Sequence, residues 1–509
     1  MRLAGVTVPL FSLRSQRDWG VGEIADLPAF GALVKSAGFR LVQILPPHEL
    51  AAGESSPYGA RTGFGIDPIY LSIEAVAAAD GLTLELTDAE RKERERLRAL
   101  PHVDYAAVRT LKLGVLERLY AQFREHSAGG RAPRARELAA FLEREASWES
   151  DLALYVAIRE EQKDHGWETW PTPVRLRDPA SLDDARARLE PRISLHGWLQ
   201  WHAFAQWDSA RWALGEAGVL LMGDLPFVVC RESADVWAHG RLFRKDKSLG
   251  APPDAFTPEG QDWGLPPYAW SALAQEDYAW LRARARHASR LYDAFRVDHV
   301  VGFFRQYVRE PKALGVFDPK AEPDQEKNGL ATLSAMKEGA KDAQIVAEDL
   351  GVIPPFVRKT LDAMGLPGYR VLPWEKDADG TLRDPAKFPV MSVATWSTHD
   401  TAPLLAWWPE LPEKDRDAFD VLAKTPKGAT TEQREEALFG LLFGASSDLA
   451  LVLAPELFGE TTRINEPGKI GPENWTYRVP VAVDAPAPAI APRITRFSKL
   501  LRASGRAAT

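Results

Sequence analysis

The 509-residue sequence has one cysteine, Cys230, and nowhere do eighteen apolar residues run together. A single cysteine cannot form an internal disulfide, and it excludes a cysteine-rich zinc site. The missing apolar run argues against a membrane-spanning helix, and the first residues show no basic segment followed by a signal-peptide cleavage pattern. We therefore expect a cytoplasmic protein with no membrane partner.

Positively charged residues are fewer than negatively charged ones. Lys and Arg number 63 against 71 Asp and Glu, which gives a formal net charge of −8. This balance provides no general attraction to nucleic acid, so we expect no nucleic-acid partner. No Walker-type phosphate loop and no dinucleotide glycine fingerprint opens a predicted helix, which disfavours nucleotide-dependent enzymes.

Aromatic residues, in contrast, make up 10% of the chain, and many lie beside Gly, Pro or Asp. Aromatic side chains in loops suggest a surface for a planar, partly apolar ligand such as a sugar ring. The stretch 247–273 combines prolines, glycines and tryptophans and cannot be regular structure for long. Loops of this length in a compact domain are usually functional, so it predicts an active-site loop.

Short apolar runs that end in a polar residue or a Gly/Pro turn recur along the chain. They span residues 39–47, 218–229, 294–303, 343–351, 368–375, 392–400 and 447–459. Such runs are typical of buried parallel strands, and segments with helical periodicity separate most of them. Seven or eight units of this kind favour an α/β fold of the (β/α)8 TIM-barrel type, with an open doubly wound sheet as the alternative.

Residues 76–205 interrupt this alternation with long amphipathic helices. They predict a mainly helical insertion subdomain. Residues 1–75 are then the first part of the barrel, and residues 206–509 are its remainder, with long loops over the C-terminal face.

Three of the predicted strands end in acidic residues: Asp298 in "RVDH", Glu348 in "AEDLG" and Asp400 in "STHDT". In a barrel these ends face one cleft. Clustered carboxylates are suited to retaining glycoside chemistry, in which an ionised nucleophile and a protonated acid lie about 5 to 5.5 Å apart. Arg296 lies two positions before Asp298, on the same face of the strand, where a cation favours an ionised nucleophile.

The same residue types also suit roles outside glycoside chemistry. An Asp at a strand end also caps the following helix, and an arginine can simply neutralise it. The Asp and His pairs at 298–299 and 399–400, with the acidic pair at 348–349, could instead hold the metal of a hydrolase, although no HxH or HExxH spacing is present. A non-catalytic carbohydrate-binding protein would need only the loop tryptophans.

Eight segments, in order, resemble the amylomaltases, which are 4-α-glucanotransferases related to the α-amylase clan and counterparts of the plant disproportionating enzyme. The segments are "WGVGEIADL" (19–27), "SPYG" (56–59), "GDLPFVVCRESADVWA" (223–238), "GAPPDAFTPEGQDWG" (250–264), "RVDHVVGF" (296–303), "AEDLGVIPP" (347–355), "THDT" (398–401) and "RINEPG" (463–468). The resemblance extends from about residue 5 to residue 480. It departs from the family pattern at 45–53, 67–68, 371–377 and Thr401.

The resemblance implies transfer of α-1,4-glucan segments between maltooligosaccharides by a retaining double displacement, without metal or cofactor. By this similarity Asp298 is the nucleophile, Glu348 is the general acid/base, and Asp400 holds sugar hydroxyls and favours the distorted transition state. An α-glucan hydrolase with the same three carboxylates is the alternative within this chemistry. The departures leave subsite preference open, and the sequence gives no oligomeric state.

The resemblance also implies a set of substrate-binding residues. Arg296 would position Asp298, His399 would donate to ring hydroxyls, and Asp224 would contribute to the same subsite. The loop residues that would arch over the glucan are Asp254, Phe256 and Trp263. Tyr58 matches an aromatic residue of the donor side, and Asn465 matches a polar residue of the "RINEPG" turn.

Overall fold

The structure, a computed structural model, describes residues 2–51, 53–127, 132–253, 260–310, 314–469 and 471–507. The strands in these residues are β1 Leu3–Thr7, β2 Leu41–Gln43, β3 Leu220–Leu225, β4 Ser248–Ala251, β5 Gln261–Asp262, β6 Ala294–Val297, β7 Gln306–Arg309, β8 Val316–Asp318, β9 Gln344–Ala347, β10 Gly368–Val371, β11 Ser392–Thr395 and β12 Leu449–Leu453.

The helices in the same residues are α1 Leu27–Ser36, α2 Ile73–Asp80, α3 Asp88–Ala99, α4 Tyr105–His126, α5 Pro133–Glu145, α6 Glu149–Glu161, α7 Thr172–Arg175, α8 Pro179–Glu216, α9 Ala234–Ala238, α10 Trp270–Gln275, α11 Ala279–Leu291, α12 Val301–Phe304, α13 Glu322–Ala340, α14 Pro355–Met364, α15 Leu404–Trp407, α16 Glu413–Leu422, α17 Thr431–Gly444, α18 Ala454–Phe458 and α19 Ala491–Ala503.

Parallel strands close into a barrel in the order β1-β12-β11-β10-β9-β6-β3-β2, with β2 paired to β1. α-Helices connect successive barrel strands except β10 and β11, which are connected through the short 3₁₀ helices Leu372–Trp374 and Pro385–Lys387. The predicted (β/α)8 barrel is therefore confirmed and the open sheet is excluded. Each of the seven predicted apolar runs contributes one barrel strand. The eighth strand, β1, was not singled out because its short sequence "LAGVT" has only one leucine and one valine as large apolar residues.

A long helical stretch separates β2 from β3. Helices α2 to α7 lie in this stretch, and α8 continues for 38 residues, through position 205, to the residues before β3. Buried Lys112 of α4 donates to Glu23 Oε1 and to the Leu71 carbonyl, both at 2.6 Å, and ties α4 to the barrel segments. The division of the chain at 75 and 205 stays a prediction. None of the helices in the described ranges combines the length and apolar composition needed to cross a membrane.

A second, antiparallel sheet lies outside the barrel, in the order β5-β4-β7-β8. Two of its strands, β4 and β5, fall within the stretch 247–273 that the sequence predicts to be largely irregular. Strand β4 pairs with β5 and with β7, and β7 follows β6 and α12, so this sheet anchors the stretch beside the C-terminal end of the barrel. The loop residues Asp254 and Phe256 lie outside the described residues.

The apolar run 294–303 is a strand only over its first four residues, in β6. His299 has a φ of +46°, a left-handed conformation that no strand contains, and the chain turns there into α12. The turn explains why polar residues stand in an apolar run: they lie where the strand ends and the cleft begins.

Candidate active site

The acidic residues that follow the barrel strands lie together in a cleft at the C-terminal end of the barrel. The Asp298 amide donates to the Leu225 carbonyl at 3.0 Å, next to β6. The Glu348 amide donates to the Val297 carbonyl at 3.0 Å, next to β9. These bonds continue the barrel ladder as far as the two carboxylates. A cavity of about 1010 Å³ is lined by both of them and by Asp400, which follows β11.

Arg296 lies among three carboxylates. Its Nη1 donates to both oxygens of Asp224, at 2.8 and 2.7 Å. Its Nη2 lies 2.8 Å from Asp298 Oδ1 and 3.9 Å from Glu348 Oε2. Only 7% of the Arg296 side chain is exposed, so water screens these ion pairs little.

Strand geometry produces this arrangement. The register of the adjacent strands β3 and β6 places Asp224 beside Arg296, and Arg296 and Asp298 share a face because they are two positions apart. The guanidinium therefore lies between the carboxyl groups of Asp224, Asp298 and Glu348. The two carboxyl groups nearest Nη2, those of Asp298 and Glu348, are neighbours in the cleft.

Glu348 has the surroundings of a general acid. Burial is the largest influence on its pKa and raises it, and the charge of Asp298 acts in the same direction. Arg296 and hydrogen bonds from the amides of His299, at 2.8 Å, and Leu350, at 3.1 Å, oppose this rise. The pKa of Glu348 is raised to about 8, so its carboxyl group is mainly protonated at neutral pH.

Asp400 has the opposite balance. Enclosure in the cleft acts to raise its pKa, but the imidazole of His399 and hydrogen bonds from His399 and Asn465 outweigh it and hold the pKa of Asp400 below its ordinary value. Asn465 Nδ2 donates to Oδ1 at 2.7 Å, and His399 Nε2 lies 3.3 Å from Oδ2. The side chain is 41% exposed to the cleft, so an ionised carboxylate faces the space where a ligand would lie.

Tyr58 and His399 form a pair above Arg296. The Tyr58 hydroxyl donates to Asp224 Oδ2 at 2.7 Å and lies 3.0 Å from His399 Nε2. The two rings stack, with centroids 5.6 Å apart and planes inclined by 23°. Asp224 itself is completely buried, so it affects the cleft through Arg296 and Tyr58.

Aromatic rings form the walls of the cleft. Trp263 packs edge-to-face on His299 at 4.9 Å, and Phe227 contacts the same imidazole at 5.6 Å. Burial lowers the pKa of His299 to about 4, although Asp298 opposes this, so the ring is neutral at pH 7. Trp374 is 53% exposed and lines the same cavity. Exposed aromatic faces with polar groups nearby are typical of sugar-binding surfaces.

Most residues that the sequence singled out therefore meet in one place. The cavity is lined by Asp298, Glu348, Asp400, Tyr58, Trp263, Arg296, His399 and Asn465. Asp224 lies behind this wall, and the placement of Asp254 and Phe256 is not described.

The sequence did not single out several further residues of the same wall. They include Gln43, Phe227, Tyr369, Val352 and Trp374. A signal for them was present, because Gln43, Phe227, Tyr369 and Trp374 belong to the apolar runs 39–47, 218–229 and 368–375, and Val352 belongs to the segment 347–355. These runs predicted which strands reach the rim, but not which of their side chains face the cleft.

Comparison with known proteins identifies the family. The sequence profile described as 4-alpha-glucanotransferase matches residues 8–483. The 4-alpha-glucanotransferase of Chlamydia pneumoniae is 31% identical over 490 residues, which cover 93% of this chain and 91% of that protein. The enzyme of the same name from Thermus thermophilus is 30% identical over 480 residues, covering 91% and 92%.

Solved structures agree on the fold. The amylomaltase of Streptococcus agalactiae in complex with acarbose matches with a TM-score of 0.86 at 22% identity, over 100% of both chains. The amylomaltase of Corynebacterium glutamicum matches with a TM-score of 0.81 at 24% identity, over 99% of this chain and 75% of that one. From the profile and the sequence relatives together, the chain belongs to the 4-alpha-glucanotransferase family.

Proposed function

We propose that the protein transfers α-1,4-glucan segments between maltooligosaccharides, with Asp298 as nucleophile and Glu348 as general acid/base. The observation that carries this proposal is the pairing of the two carboxyl groups around one Arg296 nitrogen, with the pKa of Glu348 raised to about 8. Retaining enzymes need one carboxylate that attacks and one carboxylic acid that protonates the leaving oxygen, close together. Both carboxyl groups are present on one wall of a cleft of about 1010 Å³, which is large enough for a sugar ligand.

In the first step, Glu348 gives its proton to the glycosidic oxygen while Asp298 attacks the anomeric carbon. The leaving glucan departs with a free 4-hydroxyl group, and the donor segment stays bound to Asp298 as an ester of inverted configuration. Asp400 and His399 lie beside this point and are proposed to bind ring hydroxyls. The ionised state of Asp400 suits acceptance of hydrogen bonds from them.

In the second step, Glu348 is a carboxylate and takes the proton from the 4-hydroxyl of an incoming glucan. That oxygen attacks the anomeric carbon, Asp298 leaves, and the α configuration is restored. Water can attack in the same way and would give hydrolysis. An aromatic wall that binds the acceptor gives the sugar hydroxyl the advantage of proximity, and the proposed wall is that of Trp263.

The direct test is incubation of the purified protein with maltotriose, with chromatography of the products over time. A glucanotransferase releases glucose together with a ladder of longer maltooligosaccharides. Maltose and glucose without a ladder would instead identify an α-glucan hydrolase. No turnover at all would favour a glucan-binding protein. A parallel incubation with EDTA tests the expectation that the reaction needs no metal.

The pH dependence of the reaction follows from Glu348. Its carboxyl group must be protonated in the first step, so we expect kcat/KM for maltotriose to fall as pH rises through about 8. Initial rates measured over about two units of pH either side of that pKa would show this fall in rate. The control substrate is α-maltosyl fluoride, whose leaving group needs no proton. If its first step falls over the same pH range, another group is responsible.

Trp263 provides a test of the acceptor wall. Replacement Trp263→Ala removes an aromatic face worth about 1.4 kcal/mol of acceptor binding, which is tenfold in KM. We therefore expect a tenfold weaker acceptor and a larger share of hydrolysis, measured as the ratio of free reducing ends to transfer products. Trp212→Ala is the control, because Trp212 is 68% exposed and does not line the cavity. Equal ratios in the two variants would contradict the proposed wall.

We propose, further, that the enzyme works in the cytoplasm. With one cysteine the chain cannot form an internal disulfide, so an oxidising compartment would not stabilise its fold. Fractionation of the source cells, with detection of the protein by antibody, tests this; recovery outside the cytoplasm would refute it.

A further inference from the structure

The residues around Asp400 are held by a segment from a distant part of the chain, 463–476, which follows the last barrel strand. Arg463 Nη2 donates to the Asp400 carbonyl at 2.9 Å, and the Asn465 amide donates to the His399 carbonyl at 3.2 Å. With the side-chain bond from Asn465 to Asp400 Oδ1, three hydrogen bonds fix backbone and carboxylate together. The position of this segment therefore determines where the Asp400 carboxylate points.

Trp475 connects this segment to the rings of the cleft. Its amide donates to the Ile464 carbonyl at 2.8 Å. Its ring centroid lies 5.7 Å from that of Tyr58 and 5.9 Å from that of His399. Only 8% of Trp475 is exposed, and it does not line the cavity. Trp475 thus packs behind the Tyr58–His399 pair, on the side away from the substrate space.

The backbone of Trp475 is in an unfavourable conformation. Its φ is +62°, in the left-handed region that bulky residues rarely adopt. Such a conformation persists only where the surroundings enforce it, and it is common at functional sites. Here the enforcing contacts come from the helical stretch. The Tyr105 hydroxyl, at the start of α4, donates to the Trp475 carbonyl at 2.7 Å.

The neighbouring residues support the same connection. The Val103 amide donates to the Thr476 carbonyl at 2.9 Å, and His102 pairs with Tyr477 in an antiparallel bridge. The connection from the helical stretch to the cleft thus passes through backbone atoms at 475–477 and then through the Trp475 ring.

We propose that Trp475, held by Tyr105, is a positioning residue for the reaction: it fixes the orientation of His399 and, through the 463–465 segment, that of Asp400. This inference rests on the proposed function, because it assigns a role within that site. It gives the helical stretch a part in catalysis although none of the residues described there lies in the cleft wall. We expect the loss of the Trp475 ring to lower kcat more than it changes KM. The groups it would displace are His399 and Asp400, and displacing groups that bind the transition state more strongly than the substrate lowers kcat.

The test uses two variants of the full-length enzyme. Trp475→Leu removes the ring, and we expect kcat on maltotriose to fall ten- to a hundredfold while KM changes less than threefold. Trp475→Phe keeps an aromatic ring and should recover at least a third of the lost activity. Tyr105→Phe removes a single hydroxyl outside the cleft and should lower kcat about fivefold. This variant tests the proposal if Trp475→Leu does not fold.

Tyr155→Phe is the matched control. Tyr155 lies in α6 of the same helical stretch and is more deeply buried than Tyr105. Its hydroxyl accepts a hydrogen bond from Arg159 at 3.1 Å, and its ring contacts Trp170 and Trp237 rather than the described residues of 463–476. We expect Tyr155→Phe to lower the melting temperature as much as Tyr105→Phe does but to leave kcat unchanged. If the two variants have the same kcat per correctly folded active site, counted by the binding stoichiometry of acarbose, the positioning role is wrong. A wild type without turnover would instead overturn the proposed function, and this role with it.

Discussion

Replacement Asp298→Asn is expected to lower the rate of transfer from maltotriose by about four to six powers of ten. The amide cannot form the glycosyl ester, and it ends the ion pair in which Arg296 Nη2 lies 2.8 Å from the carboxylate. Arg296 keeps its two bonds to Asp224, so the arginine should stay in place and the fold should be retained. Initial rates of glucose release, measured with enzyme free of wild-type contamination, would show the loss.

A matched control separates chemistry from charge. Asp420 also forms an ion pair with an arginine, Arg434, at 3.1 Å, and its side chain is 25% exposed, as is that of Asp298. Asp420 lies in α16, away from the cleft, so Asp420→Asn should keep wild-type activity within about twofold, as surface changes usually do. Near-normal activity of Asp298→Asn would refute its role as nucleophile.

The nucleophile can also be identified directly. A 5-fluoroglycosyl fluoride slows both steps and allows the ester intermediate to accumulate. Peptide mass spectrometry of the trapped enzyme should find the sugar on the peptide that contains Asp298. A label on Glu348 or Asp400 would reverse the assignment of roles.

Replacement Glu348→Gln is expected to slow transfer from maltotriose by about three to four powers of ten, because no acid remains to protonate the leaving oxygen. The same variant should retain the first step with α-maltosyl fluoride to within about tenfold, since fluoride leaves without a proton. The second step lacks its base, so a burst of fluoride equal to the enzyme concentration should precede a slow steady rate. A fluoride electrode in a rapid-mixing experiment measures both.

Added azide provides the decisive observation for Glu348. Azide attacks the ester without help from a base, so it should speed the second step of Glu348→Gln and form an α-glycosyl azide. The wild type should not respond. A variant that is equally slow on the fluoride and on maltotriose, and insensitive to azide, would mean that Glu348 supports the fold of the site rather than the proton transfers.

The fold could be predicted from the sequence because parallel barrel strands are buried on both faces and read as apolar runs. The run 343–351 predicted β9, and the run 392–400 predicted β11, each with its polar end at the rim. The strand β1 was missed because five residues containing a glycine carry too weak a signal. The length of β6 was overestimated, because the left-handed conformation of His299 leaves no trace in the pattern of apolar residues.

The candidate site divides in the same way. Asp298 and Glu348 could be found because a carboxylate at the end of a buried strand is conspicuous and its neighbours form recognisable motifs. The burial of Asp224 beneath Arg296 could not be found, because it depends on the register of β3 against β6. Register depends on pairing between segments far apart in the chain, and one residue of slip would turn the side chain to the other face.

The sequence by itself determined the alternation of strands and helices, the identity of the acidic strand ends and the family, since each depends on local composition and short motifs. Only the tertiary structure decided how these residues act on one another. The pKa of Glu348 is raised to about 8 by burial and by Asp298, and Trp475 meets Tyr58 and His399 from a segment hundreds of residues away from Tyr58. Burial and distance between charges are properties of packed space, so the chemistry of the cleft exists only once the barrel has closed.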